Sequence, residues 1–358
     1  MEKKRVLSKQ EEALMAKVCH LFRLGKGPGE IKTILADEGI KISVKLPYDL
    51  LLEAVDRHLI IVNCPTGNEL SDKIKKTFSL EQVDVTFTNR VDDIASRAAF
   101  VLLDLVKDKK KSNGNTNVHI GFSGGHTVRK IFQEFAHLLA VPLTGMPATI
   151  TCHALVAGFD TSAPGSDPTS FFVFLSDQIT TREDAERFKF TLLHAPPVVT
   201  PSQYEKLFEL PALKEAKKDV EYLDIIVTSA AVFTDEHSQL RRYFEKYAPK
   251  MIPRLRIDEC IGDILWSPIS KEKRINLSGY PYRPVTLVDL GEFPVRISGG
   301  TRILLALGPC ADSMGAGCPQ KTEVLRAILG LEGKTYITHL VTNSLTATEL
   351  IGGEVTSQ

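Results

Sequence analysis

The chain has no surplus of either charge: 44 Lys and Arg stand against 44 Asp and Glu in 358 residues. No overall field draws it to nucleic acid or to an anionic membrane, so any DNA contact has to come from a local patch. It lacks an apolar run near the roughly 20 residues that span a bilayer, and the start MEKKRVLSKQEE lacks the apolar stretch of a signal peptide. A soluble, cytoplasmic protein with no membrane partner is therefore expected. A cysteine framework is missing as well. Cys19, Cys64, Cys152, Cys260, Cys310 and Cys318 are scattered, and the closest pair, Cys310 and Cys318, has no second pair or nearby His to complete a zinc set. Neither a metal nor a cofactor is expected. There is no internal repeat of fixed period and no low-complexity segment.

The length exceeds that of a usual single domain, and 43% hydrophobic residues are ample for a core, which predicts one large domain and a small one. From Glu11 to Arg23, Leu14, Val18, Leu21 and Phe22 recur at helical spacing, until Gly25, Gly27 and Gly29 around Pro28 stop the pattern. A second helix is predicted from Glu30 to Glu38, with Ile31, Ile34 and Leu35 on one side and Gly39 at its end. A third apolar stripe runs from about Pro47 to Arg57. Three short helices with tight turns suit a helix-turn-helix module over residues 1–60, or a helical bundle used only for packing.

From Ile60 onward β-rich runs alternate with amphipathic helices. Strands are predicted at Val83–Phe87, Val118–Phe122, Ala148–Leu155, Phe190–Leu193, Leu223–Ser229, Ile303–Leu307 and Tyr336–Val341. Helices follow around Ile94 to Leu105, at Val128–Leu139 and at Lys321–Leu329. This alternation predicts an α/β fold over 61–358, a doubly wound, mainly parallel sheet of Rossmann-like type. The run Lys107 to Asn117 (KDKKKSNGNTN) reads as a solvated loop whose charges need no partner.

The chemistry concentrates in VHIGFSGGHTVRK, Val118 to Lys130: a strand, then glycines, a hydroxyl residue and a helix. Such a corner presents backbone N–H groups and a helix N-terminus to an anion. Gly121, Gly124 and Gly125 permit the turn, Ser123 and Thr127 donate hydroxyls, and His126 and Arg129 add positive charge. Two other readings of the same residues stay open. The glycines can serve packing alone, or Gly121 to Gly125 can be a G-x-S-x-G nucleophile elbow with Ser123 as nucleophile. The elbow needs a later acid and His, for which Asp289 and His339 have the right order, and an upstream HGGG-like segment, which the chain lacks.

The order of motifs resembles the SorC family of sugar-binding transcriptional regulators, the deoxyribonucleoside-regulator-like group. The resemblance runs through LMAKVCHLFRLGKGPGEIKTILADEGIKIS and EAVDRHLIIV, the loop GFSGGHTVRKIFQEF, then LVAGFD, SDPTS, KFTLLHAPPVV, EYLDIIVTSA, CIGDILWSPIS, QKTEVLRAIL and YITHLVTNSLTATELI. It implies a non-catalytic, sugar-isomerase/CoA-transferase-like effector domain that binds a phosphorylated sugar, and a homo-oligomer, dimer or tetramer, that acts on double-stranded operator DNA. By that resemblance Ser123, Gly124, Gly125, His126 and Thr127 hold the phosphate. Gly158, Asp263 and Lys321 then meet the sugar, Asp263 accepting from hydroxyls and Lys321 supplying a cation. Lys321 can also form a Schiff base with an open-chain sugar if burial lowers its pKa.

Two departures stand out. The segment Ile42 to Leu51 has one Lys, an interrupting Pro47 and Asp49 facing phosphate, which leaves Lys41, Ser43, Lys45 and Tyr48 as the DNA contacts, with Lys3, Lys4, Arg5 and Lys9 as a basic arm among glutamates. The run Gly308 to Pro319 is longer than the family's turn and can reshape the pocket. The alternatives are a sugar-phosphate isomerase, deaminase or hydrolase using the same pocket, with Asp263 or His126 as base and Lys321 or Ser123 as partner, and a sugar-phosphate-binding protein that no longer binds DNA.

Overall fold

The computed structural model describes residues 8–23, 26–56, 66–88, 90–113, 116–139, 145–158, 164–176, 182–309 and 321–352. Lys3, Lys4, Arg5, Gly25, Arg57, Cys64, Cys310, Cys318 and most of the Gly308 to Pro319 run lie outside them. Two compact units divide the chain, Met1–Asn63 and Cys64–Gln358.

The first unit consists of α1 (Lys9–Arg23), α2 (Pro28–Asp37) and α3 (Leu46–Asp56). Met15 and Val18, Ile31 and Leu35, Leu50 and Ala54 bury against one another, each pair spaced three or four apart so that it falls on one helix face. Ser8 and Glu11 form a reciprocal cap at the start of α1: the Glu11 amide donates to Ser8 Oγ and the Ser8 amide to Glu11 Oε2. The expected interruption at Pro47 does not occur. Pro47 sits in the first turn of α3, where an N–H has no intrahelical acceptor and the fixed φ of proline suits the helix.

In the second unit α4 (Asn68–Phe78) precedes β1 (Gln82–Thr86), α5 (Val91–Asn113), β2 (Asn117–Phe122), α6 (His126–Leu139), β3 (Thr149–Ala154) and β4 (Phe188–Thr191). There follow β5 (Val198–Val199), β6 (Ile225–Thr228), β7 (Ala230–Val232), β8 (Gly262–Ile264), β9 (Ser267–Ile269), β10 (Arg283–Pro284), β11 (Arg302–Leu307) and β12 (His339–Asn343). Seven strands make one sheet in the order β1-β12-β11-β6-β2-β3-β4, every neighbouring pair parallel, as the βα alternation predicts. The strands are almost wholly buried, with α5 and α6 packed together as one helical group and α4 with the helices Thr322–Gly330 and Ser344–Leu350 as another.

Three differences from the sequence reading have physical causes. Lys107 to Asn113 is not loop: α5 continues through it, and Lys109 and Lys110 donate to the carbonyls of Gly300 and Met146. Lys is a good helix former and complements the negative helix end, so polarity alone did not mark a boundary. The ribbon β5/β10 and the antiparallel sheet β7-β8-β9 consist of two- and three-residue strands, too short for an alternation to register. The fourth strand lies two residues earlier than expected, because its pairing with β3 runs from Phe188 to Thr191.

Among the described residues no helix is long and apolar enough to cross a membrane.

Candidate functional site

Between the end of β2 at Phe122 and the start of α6 at His126, Ser123, Gly124 and Gly125 turn the chain. The turn is fixed from both sides, since the Ser123 amide donates to Val227 O of β6 at 3.0 Å and the Gly125 amide to Ser166 O at 2.9 Å. Gly125 has φ +108°, a region that side-chain-bearing residues avoid. At Gly124 a Cβ would stand 3.0 Å from Ser166 O and 3.2 Å from Val156 Cγ2, so the close approach itself demands glycine. Arg129 is the first amide to donate back into α6, to Gly125 O, and the amides of His126, Thr127 and Val128 head the helix before it. Ile131, Phe132 and Phe135 hold α6 in the core.

This corner opens on a cavity of about 240 Å³ lined by Ser123 to Thr127, Ser229, Asp235, His237, Asp263, Trp266 and Lys321 among others. Asp263, in β8, is only 7% exposed. Burial pushes its carboxyl up to about 7, against the lowering effects of the Trp266 amide bonded to it and of the Lys321 ammonium. Lys321 stands at the N-cap of the helix Thr322–Gly330. Asp235 is also buried, and its Oδ1 accepts from the His237 amide at 2.9 Å and lies 3.1 Å from His237 Nδ1.

The turn between β8 and β9 is unusual. Ile264 pairs with Ser267, leaving Leu265 and Trp266 as a two-residue hairpin loop with φ +51° and +60°. Such loops ordinarily take Asn-Gly, and a bulky residue there costs on the order of 1–3 kcal/mol. Burial of both side chains holds the strained turn. Trp266 thereby becomes a wall of the small cavity and, at the same time, of a second cavity of about 450 Å³ that also contains Arg274, Arg283, Asp289 and Glu332.

Of the residues singled out in the sequence, Ser123 to Thr127, Asp263 and Lys321 are thus gathered around one space. Gly158 is not among the lining residues and packs instead against Asp167, the N-cap of the next helix. Arg129 is turned to the Phe174 ring, 5.6 Å away, and so adds no charge to the cavity. Gly125 gives its conformation to the turn, while its own amide serves Ser166. The serine-hydrolase set is not assembled. Ser123 is buried, Asp289 lines the other cavity, and His339 lies three strands from β2, roughly 14 Å at the usual strand spacing, bonded to Thr338. Asp235, His237 and Trp266 were missed; the only trace in the sequence is the Asp-x-His spacing, which is too short to signify alone.

In the N-terminal unit Ser43 Oγ accepts the Leu46 amide at 3.2 Å and so starts α3. The outward row of α3 reads Tyr48, Asp49, Leu52, with Lys45 just before the helix. Lys45 lies 3.8 Å from Asp49, and Tyr48 and Leu52 are 54% and 65% exposed. Lys41 is exposed before the helix.

No family model and no curated protein matches the sequence. Solved structures do. The full-length sorbitol operon regulator SorC from Klebsiella pneumoniae superposes with a TM-score of 0.65 at 15% identity, covering 97% of this chain and 100% of that one. A probable sor operon regulator from Shigella flexneri gives 0.58 at 16% identity, over 79% of this chain and 98% of that one. A DeoR family transcriptional regulator from Listeria monocytogenes gives 0.57 at 17%, with the same shares. The chain has the fold of these proteins, from the helical unit through the parallel sheet.

Proposed function

We propose that this chain is an effector-responsive transcriptional regulator of the SorC type, in which a phosphorylated sugar binds the second unit and alters how the first engages DNA. The phosphate is held at the turn from Ser123 to Thr127, by the head of α6 and the Ser123 and Thr127 hydroxyls with Gly125 giving the turn its conformation, and the sugar meets Asp263 and Lys321. One observation carries this reading: the glycine turn at the head of α6 and the buried Asp263 line one cavity beside a parallel sheet, the place where open α/β folds take their ligands. In a homo-oligomer the ligand shifts an equilibrium between arrangements of subunits and hence the spacing of the N-terminal units, which has to match DNA half-sites about one helical turn apart.

Thermal unfolding with a panel of sugar phosphates tests the pocket. At about 100 times its Kd a ligand of the native state adds about 2.7 kcal/mol of stability. The double substitution Gly125→Val with Thr127→Val abolishes that gain; an unchanged gain refutes the assignment.

The DNA end of the proposal assigns contact to Lys41, Ser43, Lys45 and Tyr48, with Ser43 also capping α3. Its test is binding to duplex DNA across salt concentrations, where Lys45→Ala lowers the log–log salt slope by about 1. A second reading, a sugar-phosphate-binding protein whose N-terminal unit contacts protein instead, is favoured by the paired Lys45 and the exposed Tyr48 and Leu52 on the outward face of α3. Duplex binding that is absent, or flat in salt, selects it.

A further inference from the structure

The small cavity contains a second set of polar groups besides the phosphate turn, and no sequence motif drew attention to it. Asp235 is buried in the wall, and its Oδ1 engages both the backbone amide and the Nδ1 of His237, which fixes the plane of the imidazole at the cavity surface. The same cavity is lined by Asp263 and Lys321. Carboxyl oxygens accept hydroxyl protons, an ammonium donates to hydroxyl oxygens, and a neutral imidazole whose Nδ1 proton goes to Asp235 presents Nε2 as an acceptor of a hydroxyl proton. This is a lining suited to the run of neutral hydroxyls on a sugar. It is poorly suited to a second phosphate, whose dianion would face the carboxyls of Asp235 and Asp263. The volume of about 240 Å³ is small beside the roughly 300 Å³ at which pockets for drug-sized ligands begin.

Resting on the phosphate-site reading above, we propose that Asp235 and His237 are specificity-determining residues that read the hydroxyls of a bound sugar and restrict the pocket to sugar monophosphates, excluding bisphosphates. His237 makes the contact and Asp235 positions it.

The test is titration of the full chain with inorganic phosphate, ribose 5-phosphate, glucose 6-phosphate, fructose 6-phosphate and fructose 1,6-bisphosphate. Calorimetry is read alongside the fluorescence of Trp266, the sole tryptophan of the sequence and a wall of the cavity. At least one monophosphate is expected to bind about tenfold or more tighter than inorganic phosphate and than the bisphosphate. His237→Ala removes that margin, and Asp235→Asn reduces it. Both variants keep the wild-type affinity for inorganic phosphate, which also serves as the control for an intact fold. The proposal is overturned if the bisphosphate binds as tightly as the best monophosphate, if no monophosphate exceeds inorganic phosphate, or if His237→Ala keeps the margin. Failure of every compound to bind, inorganic phosphate included, defeats the phosphate-site reading itself, which separates the two failures.

Discussion

The two cavities that meet at Trp266 differ in a way their sizes would not suggest. The larger, about 450 Å³, has its charges matched internally: Arg274 Nε lies 3.0 Å from Glu332 and its Nη1 3.5 Å from Asp289, while Arg283 stacks 3.8 Å over the Tyr204 ring. The Glu332 carboxyl is held below its usual range, because hydrogen bonds from Arg274 and Tyr336 outweigh the opposing effect of burial. In the smaller cavity burial dominates, and Asp263 is pushed the other way. Volume therefore says little about which space takes a ligand. The two buried carboxyls, Asp235 and Asp263, mark the smaller one.

The largest test of that contrast is the pH dependence of stability. The folded-state pKa of Asp263 is raised from its ordinary 3.8 to about 7. Its contribution is therefore fully present below 3.8 and is lost as pH rises through 7, where the buried group has to ionise. Asp263→Asn is expected to flatten this loss and to gain about 2–4 kcal/mol relative to wild type between pH 5 and pH 8, less whatever Lys321 forfeits. Denaturant melts at the two pH values check it, and parallel curves for both proteins would erase the contrast. Glu332 has the opposite sign, since a lowered pKa contributes stability that disappears as pH falls through the carboxylate range. Arg274→Ala should cost less than about 1 kcal/mol at pH 7 and nothing once Glu332 is protonated, because the pair is partly exposed and screened. The smallest expected effect is the sharpest discriminator. Arg274→Ala and Arg283→Ala leave the thermal shift from a sugar phosphate unchanged, and a lost shift in either would move the ligand to the larger cavity.

How much of this was legible depended on whether the information was local. The β2–α6 corner could be read from Ile120 to Val128, because a strand, a glycine turn and a helix start are each written in adjacent residues. Asp263 and Lys321 came only from the resemblance in motif order. Nothing near Asp263 in the chain says that it will be buried, and nothing near Lys321 says that it will face a carboxyl 58 positions earlier. Asp235 and His237 follow a strand of three residues, and Leu265 and Trp266 adopt a turn that their side chains argue against. Both features exist because tertiary packing overrides local preference. The same override, with opposite sign, carried α5 through a lysine-rich stretch that looks like loop.

One indole forms the boundary between two hollow spaces, and a close-packed interior gives it little slack. A substitution at this indole therefore changes the lining of both spaces at once.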